Sequence, residues 1–219
     1  MMKTFKDKSL IIFDWDGTLM DSVGLIVAAM RHAAEQNGLT VSDEATKSII
    51  GIALVDAFPL LFPHDSDKHG AILASYSDYY IKHCDNDKLF DGIKELIKCL
   101  HTQGKILAVA TGKKRQGLAR VLPNSGIEPF FTISCCADET AGKPNPLMLQ
   151  TILAETGKAV EEAVFIGDSI HDIRMANNIH MDSIAVSYGC ESAEVLRMEH
   201  PNALVSSVTA LTKLLLSAM

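Results

Sequence analysis

No stretch of this 219-residue chain approaches the ~20 consecutive apolar residues that a membrane-spanning helix needs. The N-terminal Met1–Lys8 is basic, but only Leu10–Phe13 follow before Asp14, too few for the apolar core of a secretory signal. A cytoplasmic protein that does not meet a membrane is therefore expected. Cysteine is scarce and unpaired in pattern: there are 5, an odd number, with no C-x-x-C spacing. Neither a zinc cluster nor a disulfide framework is expected, and the thiols read as small buried apolar groups. Basic blocks are also missing. The net charge is −7, and the densest basic cluster is Lys113-Lys114-Arg115. Nucleic-acid binding needs many phosphates neutralised, so nucleic acid is excluded as a partner. There is no internal repeat and no low-complexity segment.

What remains is a chain with 47% hydrophobic residues, enough for a sizeable core. From Lys88 onward, helical and apolar runs alternate. The 3.6-residue period predicts helices over Asp91–His101, Lys113–Leu122, Pro146–Glu155, Ile170–Asn177 and Ser207–Leu216. Between them lie strand-like runs at Lys105–Ala110, Phe130–Ser134, Ala163–Ile166, Ser183–Val186 and Ala203–Val205. Such alternation implies an α/β fold, a doubly wound parallel sheet with helices on both faces. Residues 20–87 break the rule. They hold three helix-like segments, Val23–Gln36, Asp43–Ile50 (capped by Ser42) and Asp67–Cys84, and no convincing strand. The expected organisation is a core of residues 1–19 and 88–219 with an all-helical insert, residues 20–87, joined near Leu19–Asp21 and Asp87–Asp91.

Leu10-Ile11-Ile12-Phe13-Asp14-Trp15-Asp16-Gly17-Thr18 carries the most chemistry. An apolar strand runs straight into two carboxylates, which repel unless something positive lies between them. Ligands of open parallel sheets sit at the carboxyl ends of the strands. After the other apolar runs come Thr111-Gly112 and Gly167-Asp168-Ser169 with Asp172, and Gly142-Lys143-Pro144 precedes the Pro146 helix. These sets are expected to meet on one edge. Their inventory suits phosphoryl transfer. Asp14 would attack phosphorus, and Asp16 would protonate the leaving oxygen and later deprotonate water. Mg²⁺ would be held by Asp14, Asp168 and the backbone carbonyl of Asp16, with Asp172 acting through water or through Lys143. Thr111, the Gly112 N–H and Lys143 would hold the other phosphate oxygens.

On these four segments the chain resembles the haloacid dehalogenase superfamily, and most closely its phosphoglycolate phosphatase-like group. The resemblance implies a Rossmann-like core, a type-1 helical cap where the insert lies, Mg²⁺ and the carboxylate roles above. It implies a small phosphorylated metabolite as substrate, with 2-phosphoglycolate as one candidate. A sugar-phosphate mutase of the β-phosphoglucomutase type keeps the same signatures, and a silent ligand-binding member is the reading from another class. Asp16 argues against the dehalogenase branch, and Trp15 stands where Phe is common. Selectivity is expected from the insert, in Ile49–Phe58 with Gly51. Arg31, His32 and Lys47 are candidate positive charges, and His171 is expected on a helix face. The subunit count stays open between monomer and homodimer.

Overall fold

Every residue of strand β1 (Leu10–Phe13) is buried, which explains why it reads as an unbroken apolar run rather than an alternation. In the computed structural model, which describes residues 5–84 and 88–216, β1 lies inside a six-stranded sheet. β2 (Ile106–Thr111) pairs with β1 on one side, and β3 (Ile133–Cys136) lies beyond it. On the other side come β4 (Ala163–Gly167), β5 (Asp182–Val186) and β6 (Ala203–Val205). All pairings are parallel, in the order β3-β2-β1-β4-β5-β6. This is the Rossmann-like doubly wound α/β arrangement that the alternation implied. The chain winds outward to β3, then crosses back over β1 to β4. The reversal leaves a crevice outside the carboxyl ends of β1 and β4, where such sheets bind ligands.

The segment between β1 and β2 supplies the helices over that edge. In chain order they are α1 (Val23–Gln36), α2 (Asp43–Lys47), α3 (Leu54–Leu61) and α4 (His69–His83), followed by α5 (Ile93–Thr102), which returns the chain to the sheet. α1 packs on α4 through Ile26, Met30 and Ala33 on one side and Ile72, Tyr76 and Tyr80 on the other, all in one apolar cluster. The remaining helices are α6 (Arg115–Ser125), α7 (Leu147–Thr156), α8 (Ile170–Asn177), α9 (Ala193–Met198) and α10 (Val208–Leu215). The sheet separates two layers. Ile11 and Phe13 join the cluster that includes α5, α6 and α10, whereas Leu10 and Ile12 join that of α7 and α8, as the two-residue period of a strand requires.

Several boundaries differ from the sequence expectation. α2 stops at Lys47 rather than Ile50, because the chain turns through Gly51 at φ +99° and buries Ile49 and Ile50 instead of continuing. Ser42 caps it as expected, its hydroxyl accepting from the Ala45 N–H at 3.1 Å. α3 is a helix that the pattern did not reveal: it is short, almost wholly apolar, and contains Pro59, a residue that disfavours helix interiors. The six-residue α9 is also absent from the sequence expectation. β3 begins at Ile133 rather than Phe130, since Glu128–Phe130 forms a 3₁₀ turn. The expected joint at Asp87–Asp91 and the basic segment Met1–Lys8 lie partly outside the described residues.

Candidate active site

Asp14 is the first residue past β1, and its N–H donates to the Ile166 carbonyl at 2.8 Å. That bond ties the end of β1 to β4 and delivers the carboxyl into the crevice. Three residues later the chain needs a glycine. At Gly17 φ is +75°, and a Cβ would sit 2.0 Å from Asp168 Oδ2, so the backbone itself crowds the second acid.

Asp168 and Asp172 come from the β4–α8 turn. Ser169 caps α8 reciprocally: its hydroxyl accepts the Asp172 N–H at 3.2 Å and donates to Asp172 Oδ2 at 2.7 Å, while its own N–H donates to Oδ2 at 3.0 Å. This fixes Asp172 so that Oδ1 receives Lys143 Nζ at 2.7 Å. The same ammonium donates to Asp14 Oδ1 at 2.5 Å. Lys143 is wholly buried. Burial alone would favour its neutral form, but the charges of Asp14 and Asp172 outweigh that and hold its pKa above the usual value. Asp168 accepts from Thr18 Oγ1 at 2.9 Å and from the Cys190 N–H at 2.8 Å.

One ammonium does not balance this many buried acids. Burial pushes the Asp14 carboxyl well above its ordinary pKa of 3.8; Lys143 opposes the rise, and the charges of Asp172 and Asp168 add to it. Asp168 is raised to about 7, by burial first and by Asp172 second. Oxygens of Asp14, Asp168 and Asp172 all lie within 4.8 Å of one another. Asp14 Oδ2 is buried and has no hydrogen-bond partner among the described residues. An all-oxygen cluster with surplus negative charge and an orphaned acceptor fits a divalent cation.

The Asp16 carboxyl is outside this cluster. It accepts from Ser22 Oγ at 2.6 Å and lies 3.1 Å from Lys113 Nζ. Lys113 Nζ in turn donates to Tyr80 OH on α4 at 2.9 Å. Thr111 ends β2, buried, with Oγ1 accepting the Lys113 N–H at 3.2 Å. Gly112 follows, and the insert presses on it: a Cβ there would lie 2.4 Å from the Gly51 carbonyl oxygen. The four expected segments therefore do meet on one edge of the sheet, with Lys143, Asp168 and Asp172 packed behind Asp14.

A cavity of about 290 Å³ opens beside Asp14 and Asp16. Of the expected insert residues, Ile49, Ile50, Gly51, Ile52 and Leu54 line it, whereas Arg31, His32 and Lys47 do not. Arg31 is engaged with Asp43 at 2.5 Å, His32 lies 4.7 Å from the Tyr79 ring, and Lys47 is exposed. Positive charge comes instead from Lys113, Lys114 and Arg120 on the sheet side. The sequence carries that signal as a basic tripeptide, Lys113-Lys114-Arg115, directly behind Thr111-Gly112. His171 does more than occupy a helix face, since its Nε2 meets the Ser48 carbonyl at 3.1 Å and so ties α8 to the insert. Trp15 is fully buried in the core, consistent with a packing variation.

Residues 11–186 match the family profile of the haloacid dehalogenase-like hydrolases. A pyrophosphatase, PpaX of Halalkalibacterium halodurans, is 30% identical over 204 residues, covering 90% of this chain and 92% of that protein. A tyrosine-protein kinase, PtkA of Mycobacterium tuberculosis, is 32% identical over 189 residues, 85% of this chain but 65% of its own length. The crystal structure of a candidate phosphoglycolate phosphatase from Lactobacillus delbrueckii subsp. bulgaricus superposes with a TM-score of 0.85 at 25% identity, covering 99% of this chain and 100% of that one. No helix among the described residues is long and apolar enough to cross a membrane.

Proposed function

This chain belongs to the haloacid dehalogenase-like hydrolases, and from that premise we propose that it is a Mg²⁺-dependent phosphatase of small phosphate esters, working through an aspartyl-phosphate. The observation that supports the reading is Asp14 itself: Oδ1 is held by Lys143 at 2.5 Å, while Oδ2 is buried at the cavity edge with no partner.

Asp14 is the nucleophile. Its carboxylate oxygen forms a bond to phosphorus as the bond from phosphorus to the leaving oxygen breaks. Asp16 gives its proton to that oxygen, and Lys113 and Ser22 keep the carboxyl aimed at the cavity. Water then attacks phosphorus, Asp16 takes the water proton, and the bond to Asp14 breaks to release inorganic phosphate. Thr111, the Gly112 N–H and Lys143 hold the non-reacting oxygens. Asp14, Asp168 and the Asp16 carbonyl would hold Mg²⁺, with Asp172 acting through Lys143 or water. When bound, the cation offsets charge between Asp14 and the incoming phosphate. The insert, residues 20–87, serves as a cap that closes the site and keeps out bulk water.

The test is release of phosphate from p-nitrophenyl phosphate and a metabolite panel containing 2-phosphoglycolate and inorganic pyrophosphate, with Mg²⁺. Asp14→Asn should abolish turnover. Activity surviving that change, or isomerised product without free phosphate, overturns the reading.

A further inference from the structure

The cavity beside Asp14 holds positive charge that its own acids do not use. Asp14 is paired with Lys143 and Asp16 with Lys113. Arg120 lines the same cavity, half-buried, and among the described residues no carboxylate pairs with it. From α6, Gln116, Gly117 and Arg120 line the space, at the three- and four-residue spacing that places side chains on one face of a helix. One face of α6 therefore looks into the site. The facing wall comes from the insert and is apolar, including Ile49, Ile50 and Ile52. A guanidinium against an apolar wall is screened less than one in open water, so an anion reaching it gains more than at the surface. The volume of about 290 Å³ is at the small end for ligand sites, which limits the ligand to a few heavy atoms beyond the phosphate.

The geometry points to Arg120 as a specificity residue that selects substrates whose leaving group carries a second anionic group, a carboxylate or a further phosphate. The planar fork of Arg donates two parallel N–H bonds to either. The selector is thus built on the sheet-side helix α6, and the insert contributes shape and dryness rather than charge. This rests on the phosphatase reading for its chemistry, but its binding test does not.

The experiment is calorimetric binding of phosphonoacetate and of ethylphosphonate, both with magnesium, to the full chain and to Arg120→Gln and Arg120→Lys. The two ligands differ in the carboxylate at the far end. The unaltered protein should prefer phosphonoacetate by about ten- to a hundred-fold, the range of a charge-assisted hydrogen-bonded pair. Arg120→Gln should bring the ratio close to one, and Arg120→Lys should recover part of it. Equal affinities in the unaltered protein, or a ratio that Arg120→Gln leaves in place, overturn the inference. So does an equal weakening of both ligands, which would assign Arg120 to the phosphoryl group. A preserved preference without any phosphate release would instead sink the phosphatase reading alone.

Discussion

Gly51 and Gly112 meet backbone to backbone: a Cβ on Gly112 would lie 2.4 Å from the Gly51 carbonyl oxygen and 2.9 Å from that of Ile52. The insert thus rests on the same turn that ends β2 and follows Thr111. Gly112→Ala leaves the backbone of the sheet unstrained but pushes the 49–52 loop off the site. Expected is a drop in kcat/KM of about ten-fold or more, the usual result of a misplacement near 1 Å. The midpoint of thermal unfolding should fall as well, because the clash is with backbone atoms and not with a flexible side chain. Unchanged kinetics would mean that the contact has no bearing on turnover.

Lys143 is the counter-charge of a buried acid cluster, and its removal strands those acids. Breaking a buried pair from one side costs about 3–5 kcal/mol. Lys143→Met should therefore lower the free energy of unfolding by that order in chelator-treated protein, measured by urea denaturation. Added divalent cation should return part of the loss. A change below about 1 kcal/mol would show that the acids ionise little without a partner.

The raised carboxyls also set a pH dependence. Asp168 titrates near 7 in the folded ion-free chain against an ordinary 3.8. Between those values the folded state holds more protons than the unfolded one. This group's contribution to ion-free stability therefore falls as pH rises from about 4 to about 7. A cation competes with those protons, so its affinity climbs over the same window and its binding releases protons. The rise in melting temperature on adding magnesium should be larger at pH 8 than at pH 5. Equal shifts at both, or none, would contradict a cation held by this cluster.

Arg31 and Lys47 lie outside the cavity. Arg31→Ala and Lys47→Ala are expected to keep kcat/KM within about two-fold on every substrate of the panel, as for surface changes away from a site. A larger loss in either would return charge selection to the insert.

Much of the fold was readable because its signals are local. A four-residue apolar run such as Leu10–Phe13, too short for a helix and followed at once by Asp-Trp-Asp-Gly, reads as a strand buried on both sides, and the capping residues Ser42 and Ser169 mark helix starts within a few positions. The chemistry was readable for a related reason. In a parallel sheet the functional groups follow the strands, so Asp14, Thr111 and Asp168 could be found by asking what comes after each apolar run. α3 escaped because Pro59 and near-continuous hydrophobicity hide its period.

The order of residues thus carried most of the strands, helices α1, α2 and α4 and the acids, threonine and lysine at the strand ends, since each depends on neighbours along the chain. It did not carry the strand order that places β4 beside β1, the Lys113 bridge between Asp16 and Tyr80, or the face of α6 that Arg120 shares with the cavity. Those follow from how α6 is rotated about its axis and how the insert rests on Gly112. Both are set by packing between segments far apart in the chain, whose energies no single stretch of sequence expresses.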